Sequence, residues 1–193
     1  MAVIPNSQSD DIFGPIPYHY QEVDLFQKLK GHYSFLKISN ETGCPMTFQF
    51  VYFDEDSCDF VTDYPGLDLF PDRGVPTESG FSAIYGVTGN RRASGLMGFL
   101  LQTGPQEWVA MEIYFLNPYN GSDQVWINLY VNNGGSIPND PEYAKHRFKQ
   151  CYDQAGNRDI KAFGPVSAGP ISAYANLHTE MHSAFDIRLS RSS

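Results

Sequence analysis

Short apolar runs separated by turn residues follow one another from residue 33 to the end of the chain. In MTFQFVYF, alternate positions place Phe48, Phe50 and Tyr52 on one face of the segment. A hydrophobic period of two is typical of β-strands with one buried face. We therefore predict a series of strands, with further members in YSFLKISN, FSAIYGV, SGLMGFLLQ, WVAMEIYFL, QVWINLYVN and SAFDIRLS.

Chain length and aromatic content narrow the fold class. The 193 residues suit one domain with a single core, and the 12 Tyr and 14 Phe favour pleated surfaces over helical bundles. The predicted class is mainly β, a single β-sandwich flanked by two short α-helices. Residues 1–19, with three prolines, form an irregular N-terminal arm, and residues 20–193 form the domain. The Gly- and Pro-rich GPVSAGP is expected to be a loop before the last strand.

Two segments depart from the strand pattern and predict the helices, near residues 21–30 and 141–152. In YQEVDLFQKLKG, the apolar residues Val23, Phe26 and Leu29 recur at helical spacing. In NDPEYAKHRFKQCYDQ, Asp140 can cap the first free amides and Pro141 suits the first helical position. The apolar residues that share one side of this second helix are Ala144, Phe148 and Cys151.

The charge of the chain limits its partners. Thirteen Lys and Arg against 22 Asp and Glu give a formal net charge of −9. Nucleic acid is therefore not expected as a partner, because its binding depends on neutralising phosphates, and strongly anionic lipid is disfavoured for the same reason. A zwitterionic headgroup such as choline phosphate, or a neutral glycan, meets no such objection.

The cysteines and the N-terminus give information about the cellular compartment of the protein. Cys44, Cys58 and Cys151 show no CxxC or zinc-finger spacing, which predicts free thiols, with a Cys44–Cys58 pair across a hairpin as the alternative. No signal peptide is visible, and no apolar run approaches the roughly 20 residues of a membrane helix. The sequence as given predicts a soluble protein.

The sequence shows few of the residue patterns that are typical of catalytic sites, so we do not expect an enzyme or a cofactor. The sequence has no G-x-S-x-G elbow and no Walker loop. The segment HTEMH places His178, Glu180 and His182 at alternate positions, and a strand would bring these three metal-ligand types to one face. A solvent-facing polar edge is the simpler interpretation, and a metal-dependent enzyme built on these residues is a third hypothesis of function.

Aromatic residues are the better binding candidates. Tyr119, Trp126, Tyr143 and Phe148 come from one turn with its following strand and from the second helix. Aromatic faces attract quaternary ammonium groups and stack on sugar rings. The alternative for Trp126 is a core position, because it lies in an alternating strand.

Several segments also occur in the order found in a known family: ISNETG, VPTESGFSAIYG, ASGLMGFLLQ, IYFLNPY followed by WIN, EYAKHRF and HSAFDIRLS. In this order they resemble the actinoporin-like pore-forming cytolysins, within the wider cytolysin/lectin fold group. The resemblance extends from about residue 36 to residue 189. It implies a toxin that binds a phosphocholine or sphingomyelin headgroup and forms hemolytic pores as a homo-oligomer, by inserting an N-terminal amphipathic helix. Val23, Phe26 and Leu29 would lie on the inserted face.

The resemblance also implies a headgroup site between a loop and the second helix. Pro118 and Tyr119 match the Pro-Tyr of the family loop, Met97 matches an apolar contact position, and Tyr143 matches a helical tyrosine. Arg147 and Phe148 stand where the family has a tyrosine pair, and Arg147 would pair with a phosphate but repel choline. The ligand-binding residues that we predict are Met97, Pro118, Tyr119, Trp126, Tyr143, Arg147 and Phe148.

A non-lytic, glycan-binding lectin of the same fold is the alternative function. The helix near residues 21–30 is roughly half as long as a helix that crosses the hydrocarbon core, which favours this alternative. A toxin would be secreted and then associate with target membranes, whereas a lectin would be cytoplasmic.

Overall fold

The computed structural model describes residues 32–61, 75, 82–118, 122–156, 162–179 and 184–192. The N-terminal arm and the helix predicted near residues 21–30, with Val23, Phe26 and Leu29, lie outside the described residues. Tyr119, Glu180 and His182 also lie outside them, and the side chain of His178 is not described.

The described residues form two β-sheets. The strands are β1 His32–Asn40, β2 Met46–Phe53, β3 Asp59–Phe60, β4 Ser82–Gly89, β5 Ala93–Gly104, β6 Glu107–Asn117, β7 Gln124–Asn132, β8 Ala162–Ala168, β9 Ile171–Thr179 and β10 Ala184–Arg191. One sheet has the order β3-β4-β1-β10-β9-β8 and the other the order β2-β5-β6-β7. All neighbouring strands are antiparallel except β1 and β10, which are parallel.

The main core lies between the two sheets and follows from the alternation of side chains along the strands. Met97 of β5 is paired with Ile113 of β6, and both side chains are fully buried between the sheets. Leu36, Ile187 and neighbouring residues of the six-stranded sheet belong to the same cluster. The prediction of a mainly β sandwich is therefore confirmed.

A second apolar cluster covers the outer face of the four-stranded sheet, beneath the helix α1, Pro141–Ala155. Asp140 Oδ1 accepts a hydrogen bond of 3.1 Å from the Glu142 amide, and Pro141 occupies the first turn, so both predicted start signals are confirmed. The helix continues three residues beyond the predicted end and stops at Gly156, with φ of 57°. The side chains that face the sheet are Ala144, Phe148, Cys151 and Ala155.

Within the described ranges, α1 is the one helix, and no helix there is long and apolar enough to cross a membrane. Cys44, Cys58 and Cys151 are free and buried, as predicted for the thiols. The described part of the chain holds no group of three His, Cys, Asp or Glu side chains placed to hold a metal ion. The side chains of His178, Glu180 and His182 are not among those described, so their role as metal ligands stays a prediction.

The prediction that Phe48, Phe50 and Tyr52 share one face is wrong, because the register of β2 against β5 shifts between Phe48 and Phe50. A bulge of this kind moves the residues that follow it to the opposite face. Phe48 accordingly packs between the sheets, 5.6 Å from the Phe99 ring, while Phe50 and Tyr52 pack under α1.

The prediction of a loop at GPVSAGP is also wrong for part of that segment. Residues 162–168 form β8, the edge strand next to β9, with Pro165 inside it. Proline has no backbone N–H to donate to the hydrogen bonds between strands, but an edge strand and a register shift both tolerate it. The register of β8 shifts between Phe163 and Val166, on either side of this proline.

Candidate functional site

A fully buried carboxylate lies at the centre of the interface between α1 and the four-stranded sheet. Glu112 of β6 has no solvent-exposed area and points to the helix side of its sheet. Arg147 Nε of α1 donates to Glu112 Oε2 at 2.9 Å and to Oε1 at 3.2 Å. The phenols of Tyr143 and Tyr130 donate to Oε1 at 2.9 and 3.2 Å. We name Glu112, Arg147, Tyr130 and Tyr143 the Glu112 cluster.

Burial and hydrogen bonding shift the pKa values of the three residues around Glu112. Hydrogen bonding to Glu112 raises the pKa of Arg147, despite the opposing effect of burial. Burial raises the pKa of Tyr130 and of Tyr143, and both phenols therefore keep their protons at neutral pH. A buried carboxylate needs such donors, because an uncompensated buried charge is strongly destabilising.

An open depression of about 460 Å³ lies on one flank of α1, above β7. The Arg147 guanidinium carbon is 5.9 Å from the centroid of the Tyr130 ring that forms part of its wall. Because the charge of Arg147 is paired with Glu112, we call this feature the neutral depression. Its lining residues are Asn128, Leu129, Tyr130, Tyr143 and Arg147.

A second depression, of about 270 Å³, lies on the opposite flank of α1, above β2. Lys145 and Lys149 are four residues apart and therefore project from the same side of the helix. Tyr152, one turn further on, is 44% exposed. We call this feature the basic depression. Its lining residues are Tyr52, Asp54, Arg92, Lys145, Phe148, Lys149 and Tyr152.

The charged side chains of the basic depression differ in whether they form ion pairs. Arg92 forms an ion pair with Asp54 and another, of 3.2 Å, with Glu55. Burial raises the pKa of Asp54, although Arg92 opposes this effect. Among the described residues, neither Lys145 nor Lys149 forms an ion pair, so both ammonium groups remain available for an anion.

The structure divides the predicted site residues between these two features. Tyr143 and Arg147 line the neutral depression. Phe148, 6% exposed, forms the floor of the basic depression, with ring centroids 5.4 Å from Tyr52 and 5.3 Å from Tyr114. Trp126 is half-buried on β7, 4.3 Å from the Phe163 ring, outside both linings.

Of the remaining predicted residues, Met97 and Pro118 line neither depression. Met97 is fully buried between the sheets, on the face opposite α1, and therefore does not reach a surface ligand. Pro118 follows the last residue of β6 and is half-buried. Tyr119 lies outside the described residues.

Sequence reasoning missed the residues that organise both features. Glu112 could have been recognised from the sequence, because it is the one charged residue inside the apolar run WVAMEIYFL. A carboxylate in such a run requires a buried partner. Lys145, Lys149 and Tyr152 also share one helical flank by spacing, but nothing in the sequence shows that Tyr52 and Asp54 lie beside them.

Comparison with solved structures places this architecture among known folds. The crystal structure of the lipid binding protein Nakanori matches with a TM-score of 0.55 and 15% sequence identity, over 99% of this chain and 89% of that one. The chain has the Nakanori fold. The likeness supports the predicted cytolysin/lectin fold group, whereas membership of the actinoporin family is not shown.

Two further solved structures are lectins from Xerocomus chrysenteron. The wild-type lectin XCL matches with a TM-score of 0.48 and 9% identity, over 84% of this chain and 99% of that one. A mutated form matches with a TM-score of 0.45 and 13% identity, over 84% of this chain and all of that one. No protein-family model matches the sequence, and no curated protein gives a significant match.

Proposed function

We propose that this protein binds membrane lipids through a zwitterionic, phosphocholine-type headgroup in the basic depression. The observation that carries the proposal is the meeting of a half-buried and an exposed tyrosine ring, a carboxylate and two available lysines in one cavity. The fold shared with Nakanori, a protein named for lipid binding, supports the same function.

Each part of the headgroup has a complementary group in the basic depression. The quaternary ammonium would lie against the rings of Tyr52 and Tyr152, where cation–π attraction contributes about 0.5–2 kcal/mol. Asp54 and Glu55 share the single positive charge of Arg92, so the group of three keeps a net negative charge near the ammonium. The phosphate would accept charge-assisted hydrogen bonds from Lys145 and Lys149. A headgroup with no net charge also avoids repulsion by a chain of formal charge −9.

The role of Arg147 differs from the one implied by the actinoporin resemblance. Its guanidinium is bound to Glu112, so its charge is neutralised within the protein. It therefore does not repel choline as the sequence alone implied. We assign the phosphate to the lysines on the other flank of the helix.

Vesicle binding tests the proposal. The wild-type chain should bind vesicles of phosphatidylcholine and sphingomyelin more tightly than vesicles of phosphatidylglycerol. Lys145→Gln combined with Lys149→Gln should weaken this binding about tenfold, because two solvent-exposed charge pairs worth up to about 1 kcal/mol each are lost. Arg91→Gln is the matched control, since it removes an exposed positive charge near the site but outside its lining. Preference for phosphatidylglycerol, or equal binding by all three proteins, would contradict the proposal.

We propose that the bound protein then oligomerises and opens pores by inserting the amphipathic helix predicted near residues 21–30. Phe26→Asp or Leu29→Asp should abolish dye leakage while vesicle binding persists, because a charge on an inserted face costs about 2.5–3.5 kcal/mol. Equal loss of binding and leakage would place the segment in the folded body instead. Glycan binding without leakage would support the non-lytic lectin alternative.

A further inference from the structure

A third cavity, of about 340 Å³, lies along the outer edge of β2. One of its walls consists of the four consecutive residues 50–53. Side chains of successive strand residues point to opposite faces of a sheet, so a cavity that touches all four lies beside the strand rather than on one face. The β2–β3 turn and the first turn of α1 complete the walls. We call this feature the edge cavity.

Backbone groups of β2 point into the space beside this edge. β2 is the outermost strand of its sheet, and apart from β5 its one partner in the described ranges is Val75, at the first residue of the strand. The Asp54 amide donates to the Ser94 carbonyl of β5 at 3.2 Å. Because alternate residues of an antiparallel strand bond to the same neighbour, the N–H and C=O groups of Phe53 and Val51 point away from β5. An unpaired edge of this kind can accept a further strand.

Carboxylates rim the edge cavity, and none of the described Lys or Arg residues lines it. Asp56 and Asp140 are exposed, and neither forms an ion pair with another described residue. Glu55 shares Arg92 with Asp54, so this group of three keeps a net negative charge. The full charge of Asp140 opposes the partial positive charge at the start of α1. The edge cavity therefore favours a cationic group.

The apolar walls of the edge cavity determine which cation fits. The side chain of Phe50 is buried, and those of Tyr52 and Phe53 are half-buried. The methylene stem of a lysine or arginine can pack on such rings while its charged end reaches the carboxylates at the rim. A small free amine would leave the backbone groups of the β2 edge unused, whereas a peptide can use both the rings and the backbone.

From these observations we infer that the edge of β2 is a docking site for a basic, extended peptide segment of a partner protein. The main chain of the peptide would pair with Val51 and Phe53, as in other complexes in which a peptide adds a strand to a sheet. One Lys or Arg side chain of the peptide would enter the edge cavity. Tyr52 is the one lining residue that this cavity shares with the basic depression, so peptide docking goes beyond headgroup binding and does not require it.

Titration of the ¹⁵N-labelled full chain with synthetic peptides tests the inference without any lipid. The probe is the acetylated and amidated peptide TVKVRVT, and TVQVQVT is the uncharged comparison. The basic peptide should shift the backbone resonances of residues 50–58 and 139–144, and the uncharged peptide should bind about tenfold more weakly, because exposed charge pairs are lost. No shift with the basic peptide, or shifts centred elsewhere, would overturn the inference. Shifts at the same residues that depend on protein concentration without peptide would place a second copy of the chain there, and would overturn it too.

Methylation of the peptide amides distinguishes strand addition from simple charge attraction. In an added strand, alternate amides face β2 and the others face away from it. N-methylation of one alternate set in TVKVRVT should therefore abolish the shifts, and N-methylation of the other set should preserve them. Equal affinity of the two methylated peptides would contradict strand addition.

Variants of the protein test the role of the rim charges. Asp56→Asn combined with Asp140→Asn removes two of them, and asparagine caps a helix about as well as aspartate does. This double variant should bind the basic peptide about tenfold more weakly and the uncharged peptide as tightly as the wild type does. Asp153→Asn is the matched control, because it removes an exposed carboxylate of α1 outside the lining. Unchanged affinity in the folded double variant, or an equal loss in the control, would contradict the assigned site. The methylated peptides decide the matter if the double variant does not fold.

Discussion

At the scale of single residues, Glu112 is the position on which the interface between α1 and the sheet depends. A lone carboxylate in an apolar strand is costly unless donors surround it, and Arg147, Tyr130 and Tyr143 are those donors. The sequence indicates that Glu112 needs a buried partner, but it does not show which residue is that partner. Residues 112 and 147 are separated by 35 positions, and only the packing of the helix brings them together.

Arg147→Met should lower the free energy of unfolding by about 3 kcal/mol, because it leaves the buried Glu112 charge without its cation. The double variant Glu112→Leu/Arg147→Met should recover most of that loss, since it removes both charges from the interface. Urea denaturation measures both values, with Arg91→Gln as the surface control expected to change stability by less than about 0.5 kcal/mol. A double variant as unstable as the single one would show that shape, not charge, dominates here.

At the scale of elements, the sequence predicted some features of α1 and β2 but not others. Asp140, Pro141 and the apolar spacing are local signals, so the start of α1 and its buried stripe were predicted correctly. The bulge in β2 depends on pairing with β5, and β8 depends on an edge position beside β9. Both are long-range properties, and local periodicity cannot report them. The division of the predicted site into two flanks of α1 escaped prediction for the same reason.

The docking of α1 onto β7 should depend on alkaline pH through Cys151. Its thiol is fully buried, accepts a hydrogen bond of 3.0 Å from Asn128, and burial raises its pKa to about 11 from an ordinary value of 9.0. Because the pKa of Cys151 is lower in the unfolded chain, the thiol ionises there at a lower pH than in the folded protein. The contribution of the neutral Cys151 thiol to the free energy of unfolding is fully present below pH 9 and is lost as the pH rises toward 11.

Comparison of wild type with Cys151→Ala isolates this effect. Between pH 8 and pH 11 the wild type should lose about 2–3 kcal/mol more of its free energy of unfolding than the variant, which has no thiol to ionise. Tyrosines and lysines titrate in both proteins, so their contribution cancels in the difference. Parallel pH profiles would mean that the thiol ionises as easily in the folded protein as in the unfolded chain.

At the scale of the whole molecule, α1 separates two cavities of different charge on the outer face of one sheet. The basic depression combines rings, lysines and a carboxylate, whereas the neutral depression has its only charges paired. We propose the basic depression as the headgroup site. The composition of the chain predicted a zwitterionic or neutral ligand, but it did not predict which surface would bind that ligand.

Titration of the ¹⁵N-labelled full chain with soluble phosphocholine tests that claim most directly. The largest resonance shifts should come from residues 52–54, 92 and 145–152. Lys145→Gln/Lys149→Gln should weaken binding about tenfold, as expected for the loss of two solvent-exposed charge pairs, while Arg91→Gln should match the wild type. Shifts concentrated at residues 128–130 and 143, or an affinity that the lysine substitutions leave unchanged, would contradict the assignment of the headgroup to the basic depression.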